Sequence, residues 1–243
     1  MSIDEICRQY DIRNYTINDD GSVDVDNQVY LVGNDLTKLP LKFVNVSSSF
    51  NCSNNNLTTL EGSPEYVGGY FKCVNNKLTD LKGGPEKVDS YFDCERNELT
   101  TLKDGPKLVG AYFCGFNNLT NLKGCPKRID GNFDCSNNKW LTSLEGGPEY
   151  VGGDFTCSHT KINTLKNSPK YIGGHVDCES TNIENLEGLP KHIKGYLNCS
   201  KNYLTSLEGG PDKVDGNMYS TYTQLTNLKG VPKCGGKVSF NNN

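Results

Sequence analysis

Cysteine recurs along this chain at almost constant intervals. Eight cysteines from Cys52 to Cys199, called the ladder cysteines, follow one another at intervals of 21, 21, 20, 21, 22, 21 and 21 residues, and Cys125 lies outside this register. With other residue types in the same slot, the register extends back to Leu31 and forward to Ser220 and Phe240. Self-similarity at a period of this size predicts a solenoid of about 11 stacked units of 20–22 residues.

The units share an order of residue types that is typical of leucine-rich repeats. The unit around Cys73 shows this order, which runs Phe71, Cys73, Asn76, Leu78, Leu81, Gly83, Pro85 and Val88. Its first half matches the core pattern L-x-L-x-x-N-x-L-x-x-L, with cysteine at the second leucine position. Its second half predicts an extended return segment, because proline fixes φ and favours polyproline II backbone.

On these residues the chain resembles leucine-rich-repeat proteins. The period of about 21 residues and the proline in the second half are similar to the short repeats of bacterial effector proteins. The wording FxCSxNxLTxLEGxPxxVGG and the N-terminal stretch 15–23 resemble uncharacterised repeat proteins encoded by large tailed phages. The resemblance covers almost the whole chain. It implies the fold, and it further suggests a host factor or defence component as the target.

Alternation within each unit separates a buried side from an exposed side. Phe71 and Cys73 are two residues apart and therefore point to the same side of a strand, whereas Lys72 points to the other. No unit contains a segment with helical periodicity of useful length. We therefore predict a β-rich, leucine-rich-repeat-like right-handed solenoid. We expect one long parallel sheet on its concave face, an extended or polyproline II outer face and little helix.

A polar slot three residues after the cysteine is expected to hold the turn together. Asparagine fills it in most units, and Thr160, Thr181 and Thr223 replace it in three of them. A buried amide can satisfy backbone groups at the turn, and we expect it to pair with the amide of the next unit. The cysteines themselves are predicted to be reduced core thiols, since cysteine behaves as a compact hydrophobic residue.

The two ends of the chain differ in sequence. At the start, Ser2 and Glu5 form a capping-box pattern, and Asp20-Gly21 predicts a hairpin, so residues 1–30 are interpreted as an N-terminal cap of a short helix plus a hairpin. Residues 31–243 are interpreted as the solenoid. The stretch 237–240 predicts a final strand with an uncovered edge, which invites pairing with another chain. A homodimer through this C-terminal edge is therefore one alternative.

Charge and hydropathy exclude several classes of partner. Lys+Arg total 25 against 29 Asp+Glu, for a net charge of -4, which argues against nucleic-acid binding. No apolar run approaches the roughly 20 residues that span a bilayer. The first ten residues, MSIDEICRQY, lack the apolar region of a signal peptide. We expect no membrane partner and a cytoplasmic location, in the host cytoplasm if the protein is phage-encoded.

No pattern in the sequence predicts an active site, a metal or a cofactor. Zinc sites usually use close C-x₂₋₄-C pairs, which the chain lacks. A Cys/His/Asp arrangement around His159 and His175 is disfavoured, because Cys157 and Cys178 should point inward. The glycine pairs precede strands, whereas nucleotide-binding loops place glycine between a strand and a helix. We therefore expect no catalytic residue, no metal and no cofactor, with an enzyme kept as a disfavoured alternative.

Exposed positions of the strands vary from unit to unit and supply the candidate binding residues. Aromatic side chains on a rigid surface are the usual anchors of protein interfaces, although tyrosine also simply favours strands. Trp140 accompanies an inserted residue in the 22-residue unit, so its indole either is exposed or folds back on the chain. The predicted partner-binding residues are Tyr70, Tyr91, Asp93, Phe113, Phe116, Asp134, Trp140, Asp154, His175, Asp177, Tyr196, Tyr219 and Tyr222.

The function predicted from the sequence is that of a protein-binding module. In a phage setting, it would bind a host-encoded protein and inhibit or sequester it. A structural protein that self-associates through the open C-terminal coil is the main alternative from a different class.

Overall fold

The protein consists mainly of short strands, with one or two strands in each coil of the solenoid. The computed structural model describes residues 1–240 and divides into two units. The first unit consists of Met1–Asn117 and Gly124–Pro126, and the second of Asn118–Lys123 and Lys127–Asn243. The predicted boundary between a cap of residues 1–30 and a solenoid of residues 31–243 stays a prediction, and residues 241–243 lie outside the described part.

The first unit begins with a short helix, α1 (Ile3–Gln9). Ser2 and Glu5 form the predicted capping box, with the Glu5 backbone N–H donating to Ser2 Oγ and the Ser2 N–H donating to the Glu5 carboxylate. The strands that follow are β1 (Tyr15–Ile17), β2 (Val23–Val25), β3 (Val29–Tyr30), β4 (Phe43–Val46), β5 (Phe50–Asn51), β6 (Tyr66–Val67), β7 (Phe71–Lys72), β8 (Lys87–Asp93) and β9 (Leu108–Phe113).

Two rows of parallel pairing run through the first unit. The hairpin predicted around Asp20-Gly21 is present, with β1 antiparallel to β2. Strand β2 then pairs with β4, β4 with β6, and β6 with the first part of β8. The other row is β3, β5, β7 and the second part of β8, and β9 pairs with β8 along both parts.

The second unit repeats this plan. Its strands are β10 (Arg128–Ile129), β11 (Phe133–Asp134), β12 (Tyr150–Val151), β13 (Phe155–Thr156), β14 (Tyr171–Ile172), β15 (Val176–Asp177), β16 (His192–Ile193), β17 (Leu197–Asn198), β18 (Lys213–Val214), β19 (Met218–Tyr219), β20 (Lys233–Cys234) and β21 (Val238–Ser239). Strands β11, β13, β15, β17, β19 and β21 form one parallel sheet. The return segments form two further parallel sheets, β10-β12-β14 and β16-β18-β20.

The predicted fold class, a parallel β-solenoid with almost no helix, is confirmed in each unit. The return segment is extended, as expected, but much of it pairs as β-strand with the return segments of neighbouring coils. Backbone N–H and C=O groups that polyproline II would leave to water are therefore bonded between coils. Hereafter, the side of β3, β5, β7, β11 and their equivalents that faces away from the core is called the strand face.

The inward column of each unit is closely packed. Phe50, Phe71 and Phe92 stack ring on ring at 5.3 and 5.4 Å, and all eight ladder cysteines are fully buried and free of disulfides. The Cys73 thiol points at the Asp93 carbonyl of the next coil, 3.6 Å away. A small side chain with a weak donor suits this position better than a larger aliphatic one. The prediction that these thiols point inward is confirmed.

The asparagine slot connects consecutive coils in a way that the sequence did not specify. The Asn76 Oδ1 atom accepts the Leu57 backbone N–H at 2.9 Å, and its Nδ2 donates to the carbonyls of Cys52 and Cys73, both at 3.1 Å. The amide therefore binds the backbone of the preceding coil, and the expectation of amide–amide pairing is wrong here. The smaller Thr160 hydroxyl reaches only the Cys157 carbonyl in its own coil, at 2.9 Å.

Candidate interaction surface

Three aromatic rings form a continuous row on the strand face of the first unit. The rings of Tyr70 and Tyr91 stack with centroids 5.1 Å apart, and Phe113 meets Tyr91 edge to face at 5.9 Å. All three are half-buried. The alternation of the strands places them here, because Phe71, Phe92 and Tyr112 occupy the inward positions next to them. The structure thus brings together three of the predicted binding residues.

Lys72 and Asp93 complete this row. The Lys72 ammonium nitrogen lies 5.5 Å from the centroid of Tyr70 and 5.2 Å from that of Tyr91. It also lies 3.8 Å from a carboxylate oxygen of Asp93. A cation on two ring faces next to a carboxylate is stabilised by the ring quadrupoles and by the opposite charge. The row therefore presents a flat apolar surface, in which the charges of Lys72 and Asp93 are paired with each other.

Tyr30 extends the row and was missed by the sequence reasoning. Its hydroxyl lies 3.2 Å from the Tyr70 hydroxyl, and its side chain is exposed. The hydrogen bond to Tyr30, followed by burial, raises the pKa of Tyr70 to about 12. Beside it is an open cavity of about 310 Å³ lined by Tyr10, Asp11, Arg13, Asn27, Gln28 and Tyr30. Tyr30 lies between the inward residues Val29 and Leu31, and this alternation is the signal that could have identified it.

Phe116 stands apart from the row and has an unusual backbone. Its φ is +53°, in the left-handed region, and its side chain is 41% exposed. The guanidinium carbon of Arg96 lies 4.4 Å from the Phe116 ring centroid. Equivalent positions in other coils hold residues such as Asn54, Asn75 and Asn137, all with the same sign of φ. Asparagine tolerates this backbone, whereas a bulky residue there is strained.

The strand face of the second unit carries its own aromatic group. His175 and Tyr196 stack with centroids 4.1 Å apart, and Tyr219 meets Tyr196 edge to face at 6.3 Å. Tyr222 is 61% exposed and has the left-handed φ of +54°. The predicted residues His175, Tyr196 and Tyr219 are therefore brought together, while Tyr222 occupies the same strained slot as Phe116.

Carboxylates border this second group. Burial and the nearby negative charges of Glu179 and Asp134 raise the pKa of Asp177 above its usual value. By contrast, Lys201 at 2.8 Å lowers the pKa of Glu179, with Asn198 donating a further hydrogen bond. This part of the strand face is therefore acidic. Glu179 is paired with Lys201, whereas Asp177 forms no ion pair within the described residues.

Asp154 and His175 also have a structural role that the sequence did not reveal. Asp154 Oδ1 accepts the His175 backbone N–H at 2.7 Å, and His175 Nδ1 accepts the Tyr196 N–H at 2.9 Å. Each side chain thereby bonds the backbone of the next coil. A Cβ at Gly174 would collide with Asp154 Oδ1, so glycine at this position makes room for the acceptor. One acceptor atom of each side chain therefore stabilises the fold and is not available to a partner.

Trp140 is exposed, which decides between the two orientations left open by the sequence. Its side chain is 57% exposed, and the Lys139 ammonium lies 5.3 Å from its ring. The inserted residue in the 22-residue unit thus directs the indole to solvent. No ring contact joins Trp140 to the His175–Tyr196–Tyr219 group in the described residues of the second unit.

A further exposed row lies on the return strands β10, β12 and β14. Arg128 covers the Tyr150 ring at 4.0 Å, Tyr150 stacks on Tyr171 at 4.7 Å, and the Lys194 ammonium donates to the Tyr171 hydroxyl at 2.8 Å. The signal was present in the sequence, since each residue directly precedes an inward Val or Ile or lies close to one. This row was not predicted, because the return segments were expected to be extended without strand pairing.

Within residues 1–240, no group of three His, Cys, Asp or Glu side chains is arranged to hold a metal ion. In the same range, no helix has the length and apolar character of a membrane-crossing segment. His159 is exposed with a left-handed φ of +55°, and Cys157, two residues before it, is fully buried.

Comparison with known proteins gives one distant structural likeness. No family model and no curated protein matches the chain. The structure is similar to YopM from Yersinia enterocolitica WA-314, with 15% sequence identity and a TM-score of 0.30 over 84% of this chain. The match spans 65% of the length of that YopM chain.

Proposed function

We propose that this chain is a protein-binding module, without an active site of its own, that holds a partner on the strand face of its first unit. The observation that carries the proposal is the row Tyr70–Tyr91–Phe113 on a rigid parallel sheet. Solenoids generate extended surfaces of this kind, which their functions commonly use for binding. Aromatic anchors with only two side-chain torsions lose little entropy when a partner covers them.

The backbone at Phe116 supports the same surface. A left-handed phenylalanine costs roughly 1–2 kcal/mol compared with the residues that tolerate this conformation. Nothing in the coil requires an aromatic ring at this slot, because asparagine fills it at positions 54, 75 and 137. Strain retained at an exposed aromatic residue favours a role in recognition.

The kind of partner, the mechanism and the location that we propose come from the sequence resemblance to phage-encoded repeat proteins. In that setting the partner is a host-encoded protein, the mechanism is inhibition or sequestration, and the location is the host cytoplasm. Neither nucleic acid nor membrane is part of the proposal, in keeping with the net charge of -4.

The test is an affinity capture with matched variants. The wild-type chain, a Tyr70→Ala/Tyr91→Ala variant and a Tyr150→Ala/Tyr171→Ala variant are used as baits in lysates of the producing cell and its host. Each variant removes one stacked tyrosine pair, but from different strands. We expect a specific partner to be lost from the first variant and kept by the second, with unchanged circular dichroism. Equal retention by both variants would refute this binding surface.

Self-association through the last coil is a second candidate, favoured by one observation. Leu228 is 61% exposed and Val238 is 38% exposed, whereas Leu207 and Met218, in the same slots one coil earlier, are fully buried. Apolar core positions that are exposed in this coil favour docking of a second copy. Light scattering over a range of concentrations should then give a dimer that Phe240→Asp or Val238→Asp converts to monomer. A monomer at all concentrations would exclude this candidate.

A further inference from the structure

The stacked rings of His175 and Tyr196 lie beside two carboxylates that form no ion pair within the described residues. Asp177 lies two residues after His175 on β15, and Asp154 accepts the His175 backbone N–H from the preceding coil. The ion pairs found among residues 118–240 include Glu179 with Lys201, but none includes Asp154 or Asp177. Both carboxylates are half-buried.

The first unit shows the same arrangement with a cation in place. There, Tyr70 and Tyr91 stack at 5.1 Å, as His175 and Tyr196 do at 4.1 Å in the second unit. The Lys72 ammonium lies over both tyrosine rings and 3.8 Å from the Asp93 carboxylate. A stacked ring pair at this place in the repeat, next to a carboxylate, therefore accommodates a positively charged side chain in the first unit.

The repeat register makes the comparison specific. Lys72 follows Tyr70 by two positions on β7, and Asp177 follows His175 by two positions on β15. Where the first unit supplies its own ammonium group, the second unit has a carboxylate. The side chain at position 177 therefore does not supply the cation that Lys72 supplies in the first unit.

The pKa values of the second unit are consistent with an excess of negative charge beside these rings. Burial raises the pKa of Asp177, and the charges of Glu179 and Asp134 raise it further, whereas the Glu179 backbone N–H and His159 act in the opposite direction. Burial also raises the pKa of Tyr196, with further contributions from Asp177 and Asp154. Negative charge that is partly shielded from water binds a cation more strongly than the same charge in open solvent.

We propose that Asp154, Asp177 and the stacked rings of His175 and Tyr196 bind an arginine side chain from a basic segment of the partner protein. This inference rests on the proposed protein-binding function and names the chemistry of the partner. A guanidinium is planar and weakly hydrated, so it stacks on a ring while donating hydrogen bonds to carboxylates. Charge complementarity thus selects a basic segment for the second unit, whereas the row of the first unit selects an apolar one.

Fluorescence anisotropy with a labelled hexa-arginine peptide at about 0.15 M salt tests the proposal directly. We expect Asp154→Asn/Asp177→Asn to weaken binding about tenfold, because the amides keep the shape and an acceptor oxygen but lose the charge. Tyr196→Leu should weaken binding several-fold while keeping the backbone N–H that His175 accepts. A hexa-glutamate peptide should not bind.

The control removes the same charge from the return side of the unit. In Asp130→Asn/Asp212→Asn, two carboxylates that pair with Arg128 and Lys191 are neutralised, so hexa-arginine binding should change less than twofold. Equal weakening by both double variants, or no binding by the wild-type chain, would overturn the proposal. Partner capture that is lost with Tyr70→Ala/Tyr91→Ala but unchanged with Asp154→Asn/Asp177→Asn would leave the proposed function standing and reject this inference alone.

Discussion

The Arg96 guanidinium lies 4.4 Å from the centre of the Phe116 ring, and both residues have left-handed backbone, with φ of +55° and +53°. The two residues occupy the same slot in consecutive coils of the first unit, one position before the buried asparagine. The ring is thereby held against a neighbouring side chain while one part of it stays exposed. Strain and exposure at one aromatic residue suggest a trade-off between stability and binding.

Phe116→Asn should make the protein more stable and its partner complex weaker. Asparagine is the residue that other coils use in this backbone conformation, so the free energy of unfolding should rise by about 1 kcal/mol. Loss of the ring should reduce partner binding. Urea unfolding and affinity capture measure the two effects. The matched variant Asn75→Phe, which introduces strain into the same slot, should be destabilised by a similar amount, and an unchanged stability in both would contradict the strain argument.

The fold was largely predictable because one constraint repeats. A period of about 21 residues, with Phe71 and Cys73 two apart and a glycine-proline return, leaves little choice other than a coil of short strands. Every unit adds independent support for the same register. The side chains of the strand face could be assigned for the same reason, since Lys72 lies between two inward positions.

Interactions across coils were not predictable in the same way. The left-handed backbone at Phe116 could not be predicted from the residue type, because this position lacks the asparagine that adopts the same backbone in other coils. Asp154 and His175 look like ordinary surface residues in the sequence, yet each accepts a backbone N–H from the next coil. Such bonds depend on how closely neighbouring coils approach, and this distance is a property of the assembled stack.

Asn76→Ala should destabilise the first unit strongly. The substitution removes the acceptor for the buried Leu57 N–H and the donor for the carbonyls of Cys52 and Cys73. Unsatisfied buried groups cost about 1–3 kcal/mol each in measured series, so we expect a loss of roughly 3 kcal/mol in the free energy of unfolding. Chemical denaturation measures this loss. The neighbouring exposed Lys77→Ala should change stability by less than about 0.5 kcal/mol, and a similar loss in both variants would refute the explanation.

The buried thiols should make the fold sensitive to alkaline pH. Burial raises the pKa of Cys52 from an ordinary value of 9.0 to about 12. The folded state therefore keeps the proton that the unfolded chain loses, so this contribution to stability is complete below pH 9 and decreases as the pH rises towards 12. Between neutral pH and pH ~10, the unfolding free energy should fall by about 1.4 kcal/mol more in the wild-type chain than in Cys52→Ala. Parallel pH profiles for the two proteins would contradict the assignment.

Trp140, the only tryptophan of the chain, allows its predicted role in partner binding to be tested without a label. Its side chain is 57% exposed, so native fluorescence should have an emission maximum close to that of free N-acetyltryptophanamide and should be quenched efficiently by acrylamide. Unfolding should move this maximum only slightly, because the indole already contacts water. A partner that covers the indole should shift the emission to shorter wavelength and protect it from acrylamide, as expected if Trp140 belongs to the interface. If the complex forms with unchanged emission and unchanged quenching, Trp140 lies outside the interface and its exposure reflects only the residue inserted into its coil.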